Sequence, residues 1–272
     1  MSVQHFTVIS VFPEMFNLFT GYGVTARAIR QNLVQIHKVN PRDYVTNKHG
    51  SIDDKPFGGG PGMVIKAEPL LAAVAQAKHI TPKPNLCIYL SPQGQTFTQQ
   101  QAIQFADRSA KTLTHLILIC GRYEGIDQRV ITHQVDELWS CGDYVLTGGE
   151  LPAMVIMDSM IRLIPHVLGN QDSVTNESFQ NHLLDYPHYT RPQKILNHAV
   201  PNTLLSGNHK AIKQWRLKQS LGYTLRFRPE ILARKKLSVE ETQLLYAFMQ
   251  ESESENLDMR HPDMSKQPDI NK

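Results

Sequence analysis

The chain has 272 residues with 28 Lys or Arg and 25 Asp or Glu, so its formal net charge is +3. Its length suffices for one large domain and a smaller one, and three cysteines without a C-x-x-C pair argue against a disulfide scaffold and a zinc site. Because no stretch approaches about eighteen apolar residues and the N-terminus lacks a basic leader, we expect a soluble cytoplasmic protein without a membrane span.

The N-terminal half alternates strand-like and helical patterns. Alternating and β-branched residues predict strands at residues 6–11, 33–39 and 86–90, the last ended by a turn at 91–94. Helical spacing, with Pro13 in a first turn and Thr25 as a cap, predicts helices from residue 13 and at 25–31, 67–78 and 98–108. This order predicts an α/β fold with a mostly parallel sheet and helices on both faces.

A glycine-rich stretch, HGSIDDKPFGGGPGM, occupies residues 49–63. Its glycines cannot hold a helix or strand, and Asp53 and Asp54 precede them. Backbone N–H groups in such a loop form anion nests, so it is a candidate cradle for a phosphate or nucleotide. It lacks the Lys-Ser/Thr ending of an ATP-binding P-loop. The alternative is a mobile linker.

Residues 115–165 read as an apolar strand at 116–120, the loop GRYEGID, a second strand-like run, the loop CGDYVLTGGE and an apolar helix. With YLSPQG after the preceding strand, three loops follow successive strands. Ligands of open α/β sheets bind where such loops leave the carboxyl ends of adjacent strands. Ordinary tight turns are the alternative, since single glycine loops are weak motifs. Three in succession favour a ligand pocket.

The apolar helix after the second glycine loop carries Asp158 and Arg162 four residues apart. An ion pair on a helix surface, contributing a few tenths of a kcal/mol, is one interpretation of this spacing. A functional role for Arg162 near the predicted pocket is the other.

The C-terminal part changes in character. The polar stretch at 169–187 predicts a linker between domains. Residues 191–236 then carry eleven Lys or Arg and a single acid, Glu230. A helix predicted at 206–221 places Trp215 among these Lys and Arg residues. Basic side chains bind the phosphate backbone of a nucleic acid and an aromatic ring stacks on its nucleobases, so this helix is a candidate nucleic-acid-binding surface. A solvated helix face is the alternative. Ser238 and Glu241 predict the capping box of a last helix ending at residue 250, followed by a disordered tail.

The motifs GRYEGID, GDYVLTGGELPA, LLDYPHYTRP and GNHKAIKQWRLKQSL resemble the TrmD family of bacterial tRNA (guanine-N1)-methyltransferases, in the SPOUT superfamily. The resemblance runs from about Val8 to Phe248. It implies a deep trefoil knot in the sheet domain, a small helical C-terminal domain and a homodimer with active sites at the subunit interface. The implied domains are a SAM-binding catalytic domain at 1–168, a flexible linker at 169–187, a basic helical tRNA-binding domain at 188–250 and a disordered tail at 251–272.

The resemblance also implies the activity: transfer of a methyl group from S-adenosyl-L-methionine (SAM) to N1 of the guanine 3′-adjacent to the tRNA anticodon (position 37). The implied cofactor-binding residues lie in the three loops and are Leu90, Ser91, Gly121, Tyr123, Glu124, Cys141, Gly142, Asp143, Tyr144, Val145, Leu146, Gly148 and Gly149. The implied RNA-binding residues are Asp53, Gly59, Pro61, Lys213, Trp215, Arg216 and Lys218. No metal ligand is expected.

Guanine N1 carries a proton, so methylation requires a general base to remove it. It also requires a cation near the negative charge that develops on the guanine ring. Arg162, which matches the catalytic arginine of the family, is predicted to supply the cation. Family members commonly carry Asp-Ser-Phe in the linker with Asp as the base, whereas this chain reads Glu177-Ser178-Phe179. Glu177 is therefore predicted to replace that Asp, from a longer side chain.

Two other functions fit less of the sequence. Another SPOUT enzyme, methylating a ribose 2′-oxygen, would share the three loops but not the match of the C-terminal motifs. A non-catalytic RNA-binding protein would bind RNA without SAM, and calorimetry with SAM separates it from an enzyme.

Overall fold

A computed structural model describes residues 3–46, 50–82, 84–111, 115–168 and 177–254. The chain divides into two compact units, Met1–Gln171 and Asp172–Lys272. Part of the predicted linker, residues 169–176, and most of the predicted tail, residues 255–272, lie outside the described residues. Among the described residues, no helix is both long and apolar enough to cross a membrane.

The first unit is an α/β structure. Its strands are β1 (Gln4–Ile9), β2 (Val34–Val39), β3 (Asp53–Asp54), β4 (Val64–Ile65), β5 (Asn85–Thr96), β6 (His115–Cys120) and β7 (Glu137–Ser140). Its helices are α1 (Phe16–Gly21), α2 (Gly23–Arg30), α3 (Ala67–His79), α4 (Gln99–Lys111), α5 (Gln128–Gln134) and α6 (Glu150–Ile161). The predicted strands and helices of the N-terminal half are confirmed with displaced ends. The predicted cap is wrong, because Thr25 lies inside α2 and Tyr22 is the N-cap residue.

A five-stranded sheet in the order β2-β1-β6-β5-β7 organises this unit, and each neighbouring pair is parallel. The predicted parallel α/β sheet is therefore confirmed. In the central strand β6 every residue is buried. Leu116 and Leu118 face one core cluster, while Ile117 and Ile119 face the other, because successive strand residues point to opposite faces. A strand covered on both faces reads as a continuous apolar run, which is what the sequence shows.

Two local predictions in this unit are wrong. The turn predicted at 91–94 does not end β5, which continues to Thr96 with a register shift between Leu90 and Gln95 against β7. The strand-like run after GRYEGID holds a strand only in its last part, β7, because the helix α5 precedes it. Asp127 begins α5 because its side chain accepts a hydrogen bond from the Arg129 backbone N–H.

The second unit is mainly helical. It contains a small antiparallel hairpin, β8 (Lys194–Ile195) with β9 (His198–Ala199), and the helices α7 (Asn202–Leu205), α8 (His209–Phe227), α9 (Pro229–Leu232) and α10 (Val239–Ser254). Its core is formed by Leu183, Leu221 and Leu232. Leu183 belongs to the stretch predicted as a linker, so the described end of that stretch packs within the second unit.

The helix boundaries of the second unit follow from capping. Helix α8 starts later than predicted because the Asn208 side chain accepts from the Ala211 backbone N–H. The capping box of α10 is confirmed, with the Ser238 backbone N–H donating to Glu241 Oε2 at 2.8 Å and the Glu241 N–H donating to Ser238 Oγ at 3.2 Å. Helix α10 passes its predicted end at residue 250 and reaches Ser254.

Three histidines lie on neighbouring strands of the sheet, and one of them, His115, makes the stability of the fold depend on pH. His115 is fully buried, shares a 2.8 Å hydrogen bond with Thr7 through Nε2 and lies edge-on to His5, which stacks on His37. Burial, followed by the nearby His5 and His37, lowers the pKa of His115 from 6.5 to about 4. Between about pH 4 and pH 6.5, His115 therefore stays neutral in the folded protein, whereas it is protonated in the unfolded chain.

We expect the free energy of unfolding to fall as pH drops from about 6.5 towards 4, with a loss of about 2 kcal/mol at pH 5 from this group. Urea unfolding at pH 7.5 and pH 5 measures it. His115→Gln should flatten this dependence, while replacing the exposed His133 by Gln should leave it unchanged. Equal pH dependence in all three proteins would contradict the assignment.

Candidate functional site

A pocket of about 520 Å³ lies where loops follow β5, β6 and β7 in the first unit. The predicted cofactor residues that line it are Leu90, Ser91, Gly121, Tyr123, Glu124, Cys141, Gly142, Tyr144, Val145, Leu146, Gly148 and Gly149. The three loops that the sequence predicted as a ligand pocket therefore form one pocket, at the carboxyl ends of adjacent parallel strands.

Asp143 is the exception among the predicted cofactor residues. It lies in the same loop but is exposed and does not line the pocket. The neighbouring backbone explains this, because Gly142 has a φ of 149° and its carbonyl accepts from the Tyr144 N–H at 3.0 Å. This tight turn places Asp143 at the tip of the loop.

The sequence prediction missed an apolar part of the pocket wall. Tyr89, Ile126, Ile131 and Pro152 line the pocket together with the predicted Leu90 and Leu146. Ile131 lies in α5, where the sequence analysis predicts a strand, so its place in the pocket wall was not predicted. The Asp127 cap was the signal that would have identified this helix.

At two glycines, a Cβ would collide with neighbouring atoms: backbone atoms at Gly149 and the Tyr89 side chain at Gly121. A Cβ on Gly149 would lie 2.7 Å from the Cys120 Cα, at the end of β6. A Cβ on Gly121 would lie 2.8 Å from the Tyr89 hydroxyl oxygen, and Tyr89 is itself buried in the pocket wall. A side chain at either position must therefore displace the wall of the pocket as well as fill it.

The cysteines near the pocket are protonated thiols at neutral pH. Burial raises the pKa of Cys141 and raises that of Cys120 well above its ordinary value. Within the described part of the chain, no group of three or more His, Cys, Asp or Glu side chains could hold a metal ion.

A largely buried ion pair forms part of the pocket wall, because Arg122 lines the pocket and pairs with Glu150. Glu150, the first residue of α6, is 1 % exposed and its Oε2 accepts from Arg122 Nε at 2.9 Å. Its other oxygen accepts from the Ser10 hydroxyl at 2.7 Å. Arg122 Nη1 also donates to the Thr147 carbonyl at 3.2 Å. Neither Arg122 nor Glu150 was assigned this role from the sequence, since the contact joins residues that are far apart along the chain.

The glycine-rich stretch forms a hairpin at the edge of the pocket. Strands β3 and β4 pair antiparallel, and the loop between them carries the predicted RNA-binding residues Gly59 and Pro61, with Asp53 in β3. Its base joins the loop after β6, because the Glu124 N–H donates to the Met63 carbonyl at 3.0 Å. Glu124 also lines the pocket, so the two features adjoin.

The predicted catalytic residues occupy different units. Arg162 is half-buried and directly follows α6 in the first unit, and its N–H donates to the Asp158 carbonyl at 3.2 Å. Glu177 is half-buried and belongs to the second unit. Their roles stay predictions.

The predicted RNA-binding residues of α8 differ in availability. Lys213 and Arg216 are exposed, and the Arg216 guanidinium lies 4.9 Å from the centre of the Tyr186 ring. Trp215 is half-buried, with its ring 6.3 Å from that of Tyr189. Lys218 differs, because its side chain is only 16 % exposed and its Nζ lies 2.5 Å from Glu251 Oε2. Lys218 is therefore already neutralised within the second unit.

Comparisons with known proteins bear on the whole chain. The family model described as tRNA (Guanine-1)-methyltransferase TrmD matches residues 4–234. A tRNA (guanine-N(1)-)-methyltransferase from Pseudomonas entomophila (strain L48) is 51 % identical over 251 residues, covering 92 % of this chain and 98 % of the relative. Proteins of the same name from Pseudomonas putida (strain GB-1) and Vibrio vulnificus (strain YJ016) are 52 % and 51 % identical, each covering 90 % of this chain and 96 % of the relative. With its fold, its three-loop pocket and this near-complete coverage, the chain belongs to the TrmD family of tRNA (guanine-1)-methyltransferases.

Proposed function

We propose that this protein transfers a methyl group from SAM to N1 of the guanine 3′-adjacent to the tRNA anticodon. The observation that carries the proposal is the single pocket formed by three loops, two of which hold the family motifs GRYEGID and GDYVLTGGE. Methyl incorporation from labelled SAM into a tRNA transcript tests it. A transcript with adenine in place of that guanine should accept no methyl group, whereas equal labelling of both transcripts would contradict the proposal.

The residues of the pocket fit SAM. A volume of about 520 Å³ lies within the range of about 300–1,000 Å³ common for small-molecule sites. Leu90, Ile126 and Leu146 offer apolar surface for an adenine ring. Val145 and Leu146 also line the pocket, and their backbone amides would donate to the ring edge. SAM supplies a methyl group that its sulfonium makes electrophilic.

The chain's own residues would handle the proton and charge of guanine. Glu177 would remove the N1 proton, because a carboxylate can accept it as N1 attacks the methyl group. Arg162 would face the charge that develops on the base, since its guanidinium stays cationic and can orient a planar ring. Both assignments rest on the family pattern and on the spacing between these two residues.

We further propose that the second unit binds tRNA through its basic residues. Lys213 and Arg216 are exposed on α8, and charged groups of this kind bind phosphate by releasing counterions. Replacing both by Ala should weaken tRNA binding and reduce the slope of log K against log salt by about two, if each contacts one phosphate.

Fluorescence anisotropy with labelled tRNA at several salt concentrations measures this slope. Lys218→Ala is the matched control, since Glu251 already neutralises Lys218, and it should change the slope less than the double substitution does. SAM affinity should stay the same in all variants. An unchanged slope in the double variant would mean that this face of α8 is merely solvated.

A homodimer with active sites at the subunit interface is also proposed. Apolar side chains are exposed on two helices that pack together, Leu18 on α1 and Leu151 and Val155 on α6, and Tyr22 follows α1. A patch of this kind supports a covered surface, because homodimer interfaces are more apolar than ordinary surface.

The trefoil knot is proposed from the family resemblance. A cytoplasmic location is supported by the free thiols of the three cysteines, which suit a reducing compartment.

A further inference from the structure

The buried pair of Arg122 and Glu150 joins the segments that build the pocket. Arg122 follows β6 in the first glycine loop, and Glu150 begins α6 directly after the second. Through this pair and the Ser10 hydroxyl, the end of β1, the loop after β6 and the start of α6 meet at one carboxylate. A separate donor of Arg122, Nη1, reaches the Thr147 carbonyl in the second loop.

The rest of the second glycine loop is shaped around this pair. Gly148 forms a bridge with Arg122, and a Cβ on Gly148 would lie 2.4 Å from Arg122 Nε and 2.7 Å from Glu150 Oε2. The next residue, Gly149, donates to the Gly121 carbonyl at 2.9 Å. The ion pair therefore occupies the space that any side chain at position 148 would need.

Arg122 also contacts two residues outside the glycine loops, Phe12 and Met15. Its guanidinium carbon lies 4.8 Å from the centre of the Phe12 ring, and its Nη2 lies 3.4 Å from the Met15 sulfur. The guanidinium is thus fixed by contacts on its face and on three of its nitrogens. A lysine ammonium is a point charge on a flexible stem and cannot serve Glu150 and Thr147 with this planar geometry.

We propose that Arg122 and Glu150 are positioning residues for the methyl-donor site, which hold the second glycine loop at the spacing that SAM binding requires. The proposal rests on the proposed function, since it assigns a role within that pocket. Stability alone does not account for the pair, because apolar residues of similar size often replace a buried ion pair without loss of stability. The pair differs from an apolar contact in fixing the Thr147 carbonyl and the Glu150 carboxylate at defined positions.

The test combines a charge-free double variant with a conservative one. Arg122→Met together with Glu150→Leu removes both charges and keeps the packing volume. Arg122→Lys keeps the charge and loses the planar donor set. For each full-length variant, we would measure the thermal unfolding midpoint, the Kd of SAM by calorimetry and the KM values of SAM and tRNA.

The double variant should remain folded and bind SAM at least about tenfold more weakly, which corresponds to a loss of about 1.4 kcal/mol in the contacts of the displaced loop. Arg122→Lys should raise the Kd and KM of SAM at least tenfold while the KM of tRNA stays unchanged. If either variant binds SAM with wild-type affinity, the positioning role is wrong. Should the double variant fail to fold, Arg122→Lys decides alone.

The same measurements separate this proposal from the proposed function. Wild-type protein that bound no SAM would contradict the proposed function itself. If the wild type bound SAM and the variants bound it with the same affinity, only the positioning role of Arg122 and Glu150 would be contradicted.

Discussion

Replacing Glu177 by Gln should lower the single-turnover rate of methyl transfer by about 10²–10⁴-fold, the usual contribution of a general base. The amide keeps the size of the side chain but cannot accept the N1 proton, so the loss should fall on the chemical step. The affinities for tRNA and SAM should remain close to those of the wild type. Rapid-quench assays with enzyme in excess over tRNA, across pH, measure the effect.

Two further substitutions show whether the base has been identified correctly. Glu177→Asp restores the side chain that the family usually carries, and it should raise the rate if the longer Glu is poorly placed. Asp172→Asn tests the nearest preceding acid in the sequence, a residue outside the described part of the chain. If Asp172→Asn costs more than Glu177→Gln, or if Glu177→Gln keeps a wild-type pH profile, Glu177 is not the base.

Gly149→Ala should weaken SAM binding by about 10²-fold, because the added methyl group cannot share space with the end of β6. The φ of Gly149 is −80°, which any residue adopts, so the reason is space and not backbone conformation. Its Cβ would lie 2.7 Å from the Cys120 Cα and 3.0 Å from the Gly121 nitrogen, and backbone atoms cannot rotate away. The second glycine loop must therefore move, and a loss of about 2.7 kcal/mol in its contacts with SAM corresponds to this factor.

Gly21→Ala is a matched control for Gly149→Ala. A Cβ on Gly21 meets no atom within 4 Å, and Gly21 lies at the end of α1, away from the lining of the pocket. This variant should bind SAM with wild-type affinity. Calorimetry with SAM, together with the thermal unfolding midpoint, compares the two. Normal SAM binding by Gly149→Ala would mean that the loop tolerates displacement and that its spacing is not critical.

Much of the pocket could be predicted from the sequence, because its signals are local. Glycine loops after apolar strands indicate where strands end, and parallel strands bring their carboxyl ends to one edge of the sheet. The continuous apolar run at 116–120 predicted the strand β6, which the structure buries on both faces. What failed was also local: the short helix α5 has seven residues, and its apolar Val130 and Ile131 are adjacent, which resembles a strand as much as a helix.

The features that the sequence could not predict depend on contacts between distant residues. Ser10 and Glu150 are 140 positions apart, so their hydrogen bond leaves no pattern in either segment. The ion pair of Lys218 with Glu251 likewise joins residues far apart in the sequence, and it neutralises one Lys of a helix, α8, that is uniformly basic in the sequence. Leu183 appeared to be part of a polar linker, yet it is 8 % exposed and packs with Leu221 and Leu232.

The measurement that tests the central claim most directly is mapping of the methyl group in tRNA incubated with the protein and saturating SAM. Primer extension detects methylation at N1 because it blocks base pairing, and mass analysis of nuclease fragments identifies the nucleotide. We predict a single methyl group on N1 of the guanine 3′-adjacent to the anticodon. An unmodified guanine at that position, or a methyl group on a ribose 2′-oxygen instead, would contradict the account.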